Sequence, residues 1–112
     1  MTDSLPELDT DPLDVLFVHV GKADDPDTPI ELLPMGLPAM ADWLVRRGRT
    51  VEIIHLALEK GIDPGFDVVA HAARRRVRVA CLDLHWHAQT PAVLALAGRL
   101  KEGLPGLPIV VG

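Results

Sequence analysis

The amino-acid sequence predicts an α/β fold in which helices cover both faces of a parallel sheet. Four apolar runs alternate with segments of helical periodicity, in the order βαβαβαβ. The first run, residues 15–20, is apolar at every position except His19, as is typical of a parallel strand that is buried on both faces. Because crossovers between parallel strands are right-handed, this order predicts a doubly wound sheet.

Composition and charge narrow the class of protein. A chain of 112 residues, 48% of them hydrophobic, fits one packed domain rather than a disordered chain. The formal net charge of -5 argues against a nucleic-acid-binding protein, which usually carries a basic face. No apolar run is long enough to span a membrane and the acidic N-terminus is unlike a signal peptide, so we expect a cytoplasmic location. Cys81 is the only cysteine, which excludes a disulfide framework and a multi-cysteine metal site.

A polar leader and one long loop stand out from the regular pattern. Residues 1–13 contain two prolines and are expected to form the leader, so the domain is predicted at residues 14–112. Gly21 ends the first strand, and residues 22–34 form a loop that is far longer than a strand-to-helix connection needs. In open α/β sheets, loops at the carboxyl ends of parallel strands hold ligands. This loop is therefore the first candidate region for function.

The first helix is predicted from residue 36 or 37 to residue 47, and a second strand follows at residues 50–56. Pro38 is tolerated because it falls in the first turn, where its missing N–H has no partner to lose. Gly48 is expected to end the helix in a left-handed conformation. One apolar stripe at helical spacing is expected to face the sheet: Leu37, Met40, Ala41, Leu44 and Val45.

The second helix is predicted at residues 64–76, with Asp63 as its N-cap, and leads to a third strand at residues 77–84. The basic run Arg74–Arg76 is interpreted as a set of cations at the negative end of this helix. Its apolar positions are expected to face inward: Phe66, Val69, Ala70 and Ala73.

The third helix has Thr90 as its predicted N-cap and Pro91 at its first position, and it is expected to end at Glu102. Its apolar face is predicted to comprise Val93, Leu94, Ala97 and Leu100. A fourth strand follows at residues 109–111. Because a flavodoxin-like sheet has a fifth strand, we expect either a piece of a longer polypeptide or an edge strand that pairs with another chain, as in a homodimer.

Strand order is expected to reverse between the first and third strands, which opens a crevice at the carboxyl edge of the sheet. Gly36 is singled out there, because a residue without a Cβ lets the backbone pass close to a bulky ligand. The loops after these strands and the end of the fourth strand supply the candidate cofactor-binding residues: Gly21, Lys22, Leu33, Pro34, Met35, Gly36, Leu37, His85, Trp86, His87, Gln89 and Gly112.

Several chemical motifs are absent or incomplete in this set. His85 and His87 point the same way on an extended segment, but no further residue has the spacing of a zinc ligand, so no metal site is assigned. Trp86 either stacks on a planar ligand or fills the core between sheet and helix. The chain has neither a Gly-x-Gly-x-x-Gly after its first strand nor a P-loop. No nucleophile is evident beside a base, so no catalytic residue is assigned.

Four segments carry a resemblance to a known family, and the first of them is the apolar strand at residues 14–20. Residues 33–54 are similar to the pattern P-x-G-L-x-x-L-A-x-x-L-x-x-x-G-H-x-V-x-I, which forms a loop, a helix and a strand. Residues 79–89 are similar to a strand with the exit h-W-x-x-Q, and residues 95–112 to a helix and strand that close on P-x-v-v-G-G. In this order and spacing, residues 14–112 resemble the N-terminal cobalamin-binding domain of cobalamin-dependent radical SAM enzymes.

The chain departs from that family in three places. Its first loop begins Gly21-Lys-Ala-Asp-Asp-Pro instead of with a proline-rich segment. The cysteine triplet of a radical SAM cluster is absent, and so is the second glycine of the closing Gly-Gly. In addition, the motif Asp-x-His-x-x-Gly does not follow the first strand. In other cobalamin proteins that motif supplies a histidine ligand to the cobalt.

The resemblance implies that the chain binds cobalamin base-off, without a histidine from that motif, for a radical SAM domain on the same or a separate polypeptide. The iron–sulfur cluster and S-adenosylmethionine would belong to that other domain. The family's reactions are methyl transfers and related radical chemistry, and no catalysis is expected from this chain alone. The competing interpretation is a non-catalytic interaction module that a partner chain completes.

Overall fold

A four-stranded, all-parallel sheet organises the part of the chain that the computed structural model describes, residues 11–21, 36–84 and 89–112. Its strands, in chain order, are β1 Val15–His19, β2 Val51–His55, β3 Val79–Leu82 and β4 Ile109–Val111. The strand order across the sheet is β2-β1-β3-β4. The chain adds β2 on one side of β1 and then crosses over to add β3 and β4 on the other side. This is the doubly wound α/β arrangement of the flavodoxin and Rossmann type, as the sequence predicted.

Four helices accompany these strands: α1 Gly36–Val45, α2 Leu56–Ile62, α3 Val68–Arg74 and α4 Thr90–Gly103. The predicted first and third helices are confirmed as α1 and α4, with ends shifted by one or two residues. The predicted loop at residues 22–34 and most of the leader lie outside the described residues. In the segments that are described, no helix combines the length and apolar character needed to cross a membrane.

The segment between β2 and β3 corrects the sequence prediction twice. An unpredicted helix, α2, begins directly after β2, where the Nδ1 atom of His55 accepts a 3.4 Å hydrogen bond from the backbone N–H of Leu58. The helix predicted from residue 64 begins only at Val68. Asp67, not Asp63, is its N-cap, because the Asp67 carboxylate accepts hydrogen bonds from the N–H groups of Val69 and Ala70.

Apolar side chains cluster on both faces of the sheet. On the face that α3 and α4 cover, the buried residues include Leu16, Val18, Ile54, Ala80, Leu82, Val68, Ala72, Val93, Leu96 and Leu100. On the face that α1 covers, a smaller cluster contains Val15, Phe17 and Leu37. Successive residues of β1 alternate between the two clusters, as a central strand with two buried faces requires.

The apolar stripe predicted for α1 is only partly buried. Leu37 is buried and Leu44 is half-buried, but Met40 and Val45 are 49% and 55% exposed. The reason lies in the placement of α1, which packs mainly against β2 at one margin of the sheet. Met40 therefore borders an open groove over β1 and β3 instead of a packed interface.

The apolar faces predicted for the other two helices are confirmed in part, because Phe66, Val69, Val93, Ala97 and Leu100 pack in or against the core. The buried positions at helical spacing are Val68 and Ala72 in α3 and Val93, Leu96 and Leu100 in α4. Ala70 and Ala73 of α3 are consequently exposed, and Leu94 of α4 is exposed as well. Alanines and leucines stand at neighbouring positions in both helices, so composition alone does not single out Ala72 or Leu96 as the inward residue.

Two helices end in left-handed residues. Gly48 follows α1 with a φ of 80°, which confirms the predicted glycine cap. Arg76 follows α3 with a φ of 51°. Its N–H donates to the carbonyl of Ala73 at 3.1 Å, and the N–H of Val77 donates to that of Ala72 at 3.2 Å. A non-glycine residue in this conformation costs roughly 1–2 kcal/mol relative to a right-handed one.

Asp14 and Thr50 join the starts of β1 and β2 at the amino edge of the sheet. The Asp14 carboxylate accepts a 2.9 Å hydrogen bond from the Thr50 N–H, and the Asp14 N–H donates to Thr50 Oγ1 at 2.9 Å. The bond from the Thr50 backbone, assisted by the charges of Arg49 and Arg78, holds the pKa of Asp14 below its usual value. The carboxylate therefore stays ionised at neutral pH.

Gly48→Ala and Gly98→Ala form a matched pair that tests the left-handed cap of α1. An added Cβ would meet no atom within 4 Å at either position, and only Gly48 has a positive φ. We expect Gly48→Ala to lower the free energy of unfolding by about 1 kcal/mol. Gly98→Ala, inside α4, should raise it by about 0.5–1 kcal/mol. Urea denaturation measures both, and changes of the same sign would contradict the assigned conformations.

Candidate functional site

Three polar side chains meet at the carboxyl edge of the sheet. His19 is the last residue of β1, His55 is the last residue of β2, and Asp83 directly follows β3. Each lies two residues beyond a side chain of the α1 face, so all three belong to that face. Because β1 lies between β2 and β3, the three residues form one row across adjacent strands.

His19 is the centre of this row. Its ring is completely buried, and its Nδ1 atom lies 2.7 Å from Oδ2 of Asp83. Because an ionised carboxylate can only accept, the Nδ1–H of His19 donates this hydrogen bond. The ring of His55 meets that of His19 edge to face, with centroids 5.0 Å apart and planes at 81°. The carboxylate thus sets the tautomer and orientation of the buried ring.

A second buried contact joins the loops that follow β1 and β3. The side-chain amide of Gln89 donates a 2.8 Å hydrogen bond to the carbonyl of Gly21, and both residues are buried. Gly21 has a φ of 85°, a conformation that favours glycine. Gln89 is also the residue that caps α4, in place of the predicted Thr90. Its side chain reaches across the switch point, the place between β1 and β3 where the strand order reverses, instead of capping the helix.

An apolar groove runs along the α1 face beside the polar row. Its upper part, about 270 Å³, opens at the carboxyl edge and is lined by Phe17, Leu37, Met40, Cys81, Leu82, Asp83, Val110 and Gly112. Its lower part, about 300 Å³, shares Phe17, Met40 and Cys81 and continues to Trp43, Leu44, Val15 and Val79. Asp83 is therefore the one charged side chain that these lining residues bring to the groove.

Cys81 lies in the floor of this groove. Burial raises the pKa of its thiol, which disfavours the thiolate form. The thiol is therefore a poor nucleophile and a poor metal ligand at neutral pH. Among the described residues, no group of three or more His, Cys, Asp or Glu side chains is arranged to hold a metal ion.

Five of the twelve predicted binding residues lie in the described segments: Gly21, Gly36, Leu37, Gln89 and Gly112. Gln89 bonds to Gly21, and Leu37 and Gly112 line the same groove. Gly36 opens α1, and a Cβ built on it would meet no atom within 4 Å. Gly112 extends the pairing of β3 with β4, since its N–H donates to Leu82 and its carbonyl accepts from Leu84. The other predicted residues lie outside the described segments: Lys22, Leu33, Pro34, Met35, His85, Trp86 and His87.

Sequence reasoning did not assign His19, His55 or Asp83 to the site. A signal for them was present, because each is a polar residue at the end of an apolar strand. Even spacing from Phe17 places His19 on the same face as the start of α1. Strand order was also needed, since only adjacent strands bring the three residues together.

The protein is therefore a doubly wound α/β protein that carries a polar row and an apolar groove at its switch point. Comparisons of the chain with protein families, with curated proteins and with solved structures give no match.

Asp83→Ala tests the buried contact with His19. We expect a loss of about 1–3 kcal/mol in the free energy of unfolding, because a buried ring loses its charged acceptor. Asp42→Ala is the matched control, since its 2.8 Å ion pair with Arg46 is exposed and should contribute less than about 0.5 kcal/mol. Denaturation at neutral pH measures both variants. Equal losses would show that the His19–Asp83 hydrogen bond stabilises the fold no more than an exposed ion pair does.

Proposed function

We propose that this chain is a cobalamin-binding domain that serves a radical SAM domain, with its cofactor at the carboxyl edge of the sheet. The observation that carries the proposal is the switch point between β1 and β3, where the Gln89–Gly21 bond joins two loops beside an open apolar groove. Ligands of doubly wound sheets bind at such points. The family resemblance of residues 14–112 supplies the identity of the ligand. A cytoplasmic location is part of the proposal.

The described residues fit a large, mostly apolar cofactor in two respects. A Cβ at Gly36 would enter open space, so the start of α1 leaves room for a bulky group. The groove next to it has an apolar floor that a planar ring system can contact. Leu37 and Gly112 border that groove, and Gln89 holds the loops on either side of the switch point.

The position of His19 fits binding without a histidine ligand from β1, and the base-off mode itself rests on the family resemblance. The His19 ring is buried and donates to Asp83, so it belongs to the core of the edge. When bound, cobalamin would supply the cobalt on which methyl transfer or radical chemistry depends. The residues of this chain would bind and orient it and exclude water from one face. The iron–sulfur cluster and S-adenosylmethionine would come with the radical SAM domain.

Gly36→Val tests the cofactor site through absorption spectroscopy and calorimetry with hydroxocobalamin. We expect the native chain to bind hydroxocobalamin with a change in its visible spectrum, and Gly36→Val to lower the affinity about tenfold or more. The melting temperature should move by only a few degrees, because the new side chain would enter open space.

Gly98→Val, on an exposed part of α4, serves as the control and should leave the affinity unchanged. The absence of any binding by the native chain would refute the proposal. If Gly36→Val unfolds the protein, Gly36 is a structural residue and not part of a cofactor site.

A second candidate function is an interaction module that a partner chain completes. Apolar side chains on and near β4 favour it, because Val110 is 54% exposed and Trp43 across the groove is 54% exposed. Arg47 lies over the Trp43 ring, 3.5 Å from its centroid, and covers only part of it. Within the described residues, β4 pairs with β3 alone, which leaves one edge of its backbone for another strand.

Val110→Lys tests this second candidate in analytical ultracentrifugation. We expect the native chain to form dimers through β4, and the substitution to shift them to monomers because a lysine disfavours edge-to-edge pairing. Leu94→Lys, at a similarly exposed position of α4, should leave the dimer intact. A native chain that is monomeric over the micromolar range would contradict dimer formation through this edge.

A further inference from the structure

Arginines gather at the amino edge of the sheet, opposite the candidate cofactor site. They lie in the turns that precede β2 and β3: Arg46, Arg47, Arg49, Arg75, Arg76 and Arg78. The carboxylates described nearby are partly engaged, because Asp42 pairs with Arg46 and Asp14 binds Thr50. This edge is thus locally basic in a chain whose net charge is -5.

A shallow cleft of about 570 Å³ opens at this edge, between the turn after α3 and the turn after α4. Arg76 and Arg78 line it from the first turn, and Leu104, Pro105 and Pro108 line it from the second. We call this depression the amino-edge cleft. It therefore combines positive charge with a small apolar surface.

Arg76 occupies this position at a conformational disadvantage. Its φ of 51° is one that glycine adopts without strain, and an arginine does not. Arg76 is exposed, and no bond to its side chain is evident among the described residues. Strained residues that persist at a cleft indicate a role for the side chain beyond the fold. Arg78 is similarly open, since its 3.7 Å contact with Asp14 is long and its side chain is 66% exposed.

We propose that the amino-edge cleft binds an acidic segment of a partner polypeptide. Arg76 and Arg78 pair with carboxylates of the segment, and an apolar side chain between those carboxylates contacts Leu104 and Pro105. Guanidinium groups match carboxylates in two-pronged geometry, and a desolvated apolar contact next to them strengthens the pairing.

A polypeptide fits the cleft better than a nucleic acid does. A nucleic acid presents a long, uniform row of phosphates, and its binding needs an extended basic face. The overall charge of -5 opposes such a polyanion, whereas a short acidic segment meets only the local arginines. The apolar lining residues Leu104, Pro105 and Pro108 also suit a side chain rather than a phosphate backbone.

Fluorescence polarisation with a labelled peptide of alternating glutamate and leucine residues tests the proposal on the full chain. The same peptide with glutamine in place of glutamate is the charge control. We expect the acidic peptide to bind, the glutamine peptide to bind at least about tenfold more weakly, and added salt to weaken the complex.

Arg76→Gly separates binding from stability, because it removes both the charge and the left-handed strain. We expect it to raise the melting temperature and to lower the affinity for the acidic peptide about two- to fivefold. Arg76→Gln and Arg78→Gln should weaken binding to a similar degree without that rise. Arg99→Gln removes one positive charge outside the cleft, among residues that line a separate depression, and should leave binding unchanged.

Three results would overturn the proposal. If Arg76→Gly raises stability and leaves affinity unchanged, Arg76 serves only the end of α3. If Arg99→Gln weakens binding as much as Arg78→Gln does, the peptide is attracted by the overall positive charge of the arginines and not by the amino-edge cleft. If a single-stranded oligonucleotide binds more tightly than the acidic peptide and depends on Arg76, the occupant is a nucleic acid.

Discussion

The central position of β1 is the constraint on which the described structure depends. β1 pairs in parallel with β2 on one side and with β3 on the other, so its backbone groups are satisfied along both edges. Its side chains are buried on both faces, and the one polar side chain among them needs a hydrogen-bond partner. Asp83 provides it, because the register that pairs Val18 with Leu82 places Asp83 beside His19. Because β2 and β3 lie on opposite sides of β1, the order in which strands join the sheet reverses at β1, and this reversal creates the switch point.

The two edges of the sheet have different chemistry for a simple topological reason. In a parallel α/β sheet the last helix of each connection ends near the amino edge, where the next strand begins, and cations near helix C-termini are favourable there. The arginines around Arg76 reflect that preference. Every strand ends at the carboxyl edge, where loops and polar strand ends meet. Strands of about five residues separate the two edges by roughly 17 Å. Under the two proposals, the cofactor and the acidic polypeptide would therefore bind at opposite edges of the same small domain.

The α1 face is where the two proposed functions differ. α1 packs mainly over β2, so the sheet beneath Met40 and Trp43 is covered on one side only. A cofactor at the carboxyl edge would cover the upper groove near Leu37, and a partner chain would cover the lower groove and β4. Exposed apolar side chains such as Trp43 and Val110 are of the kind that marks interaction surfaces. The two ligands would contact different parts of one groove.

The sequence by itself determined the fold class, the four strands and the approximate limits of α1 and α4, because apolar periodicity and the cap at Gly48 are local signals. It also placed Gly21 and Gln89 at the correct edge. It did not distinguish Asp63 from Asp67 as the cap of α3, since both are suitable residues and packing of Val68 and Ala72 selects between them. Only the tertiary structure decided that His19, His55 and Asp83 form one row. Their separation along the chain carries no sign of contact until the order β2-β1-β3 brings the strand ends together.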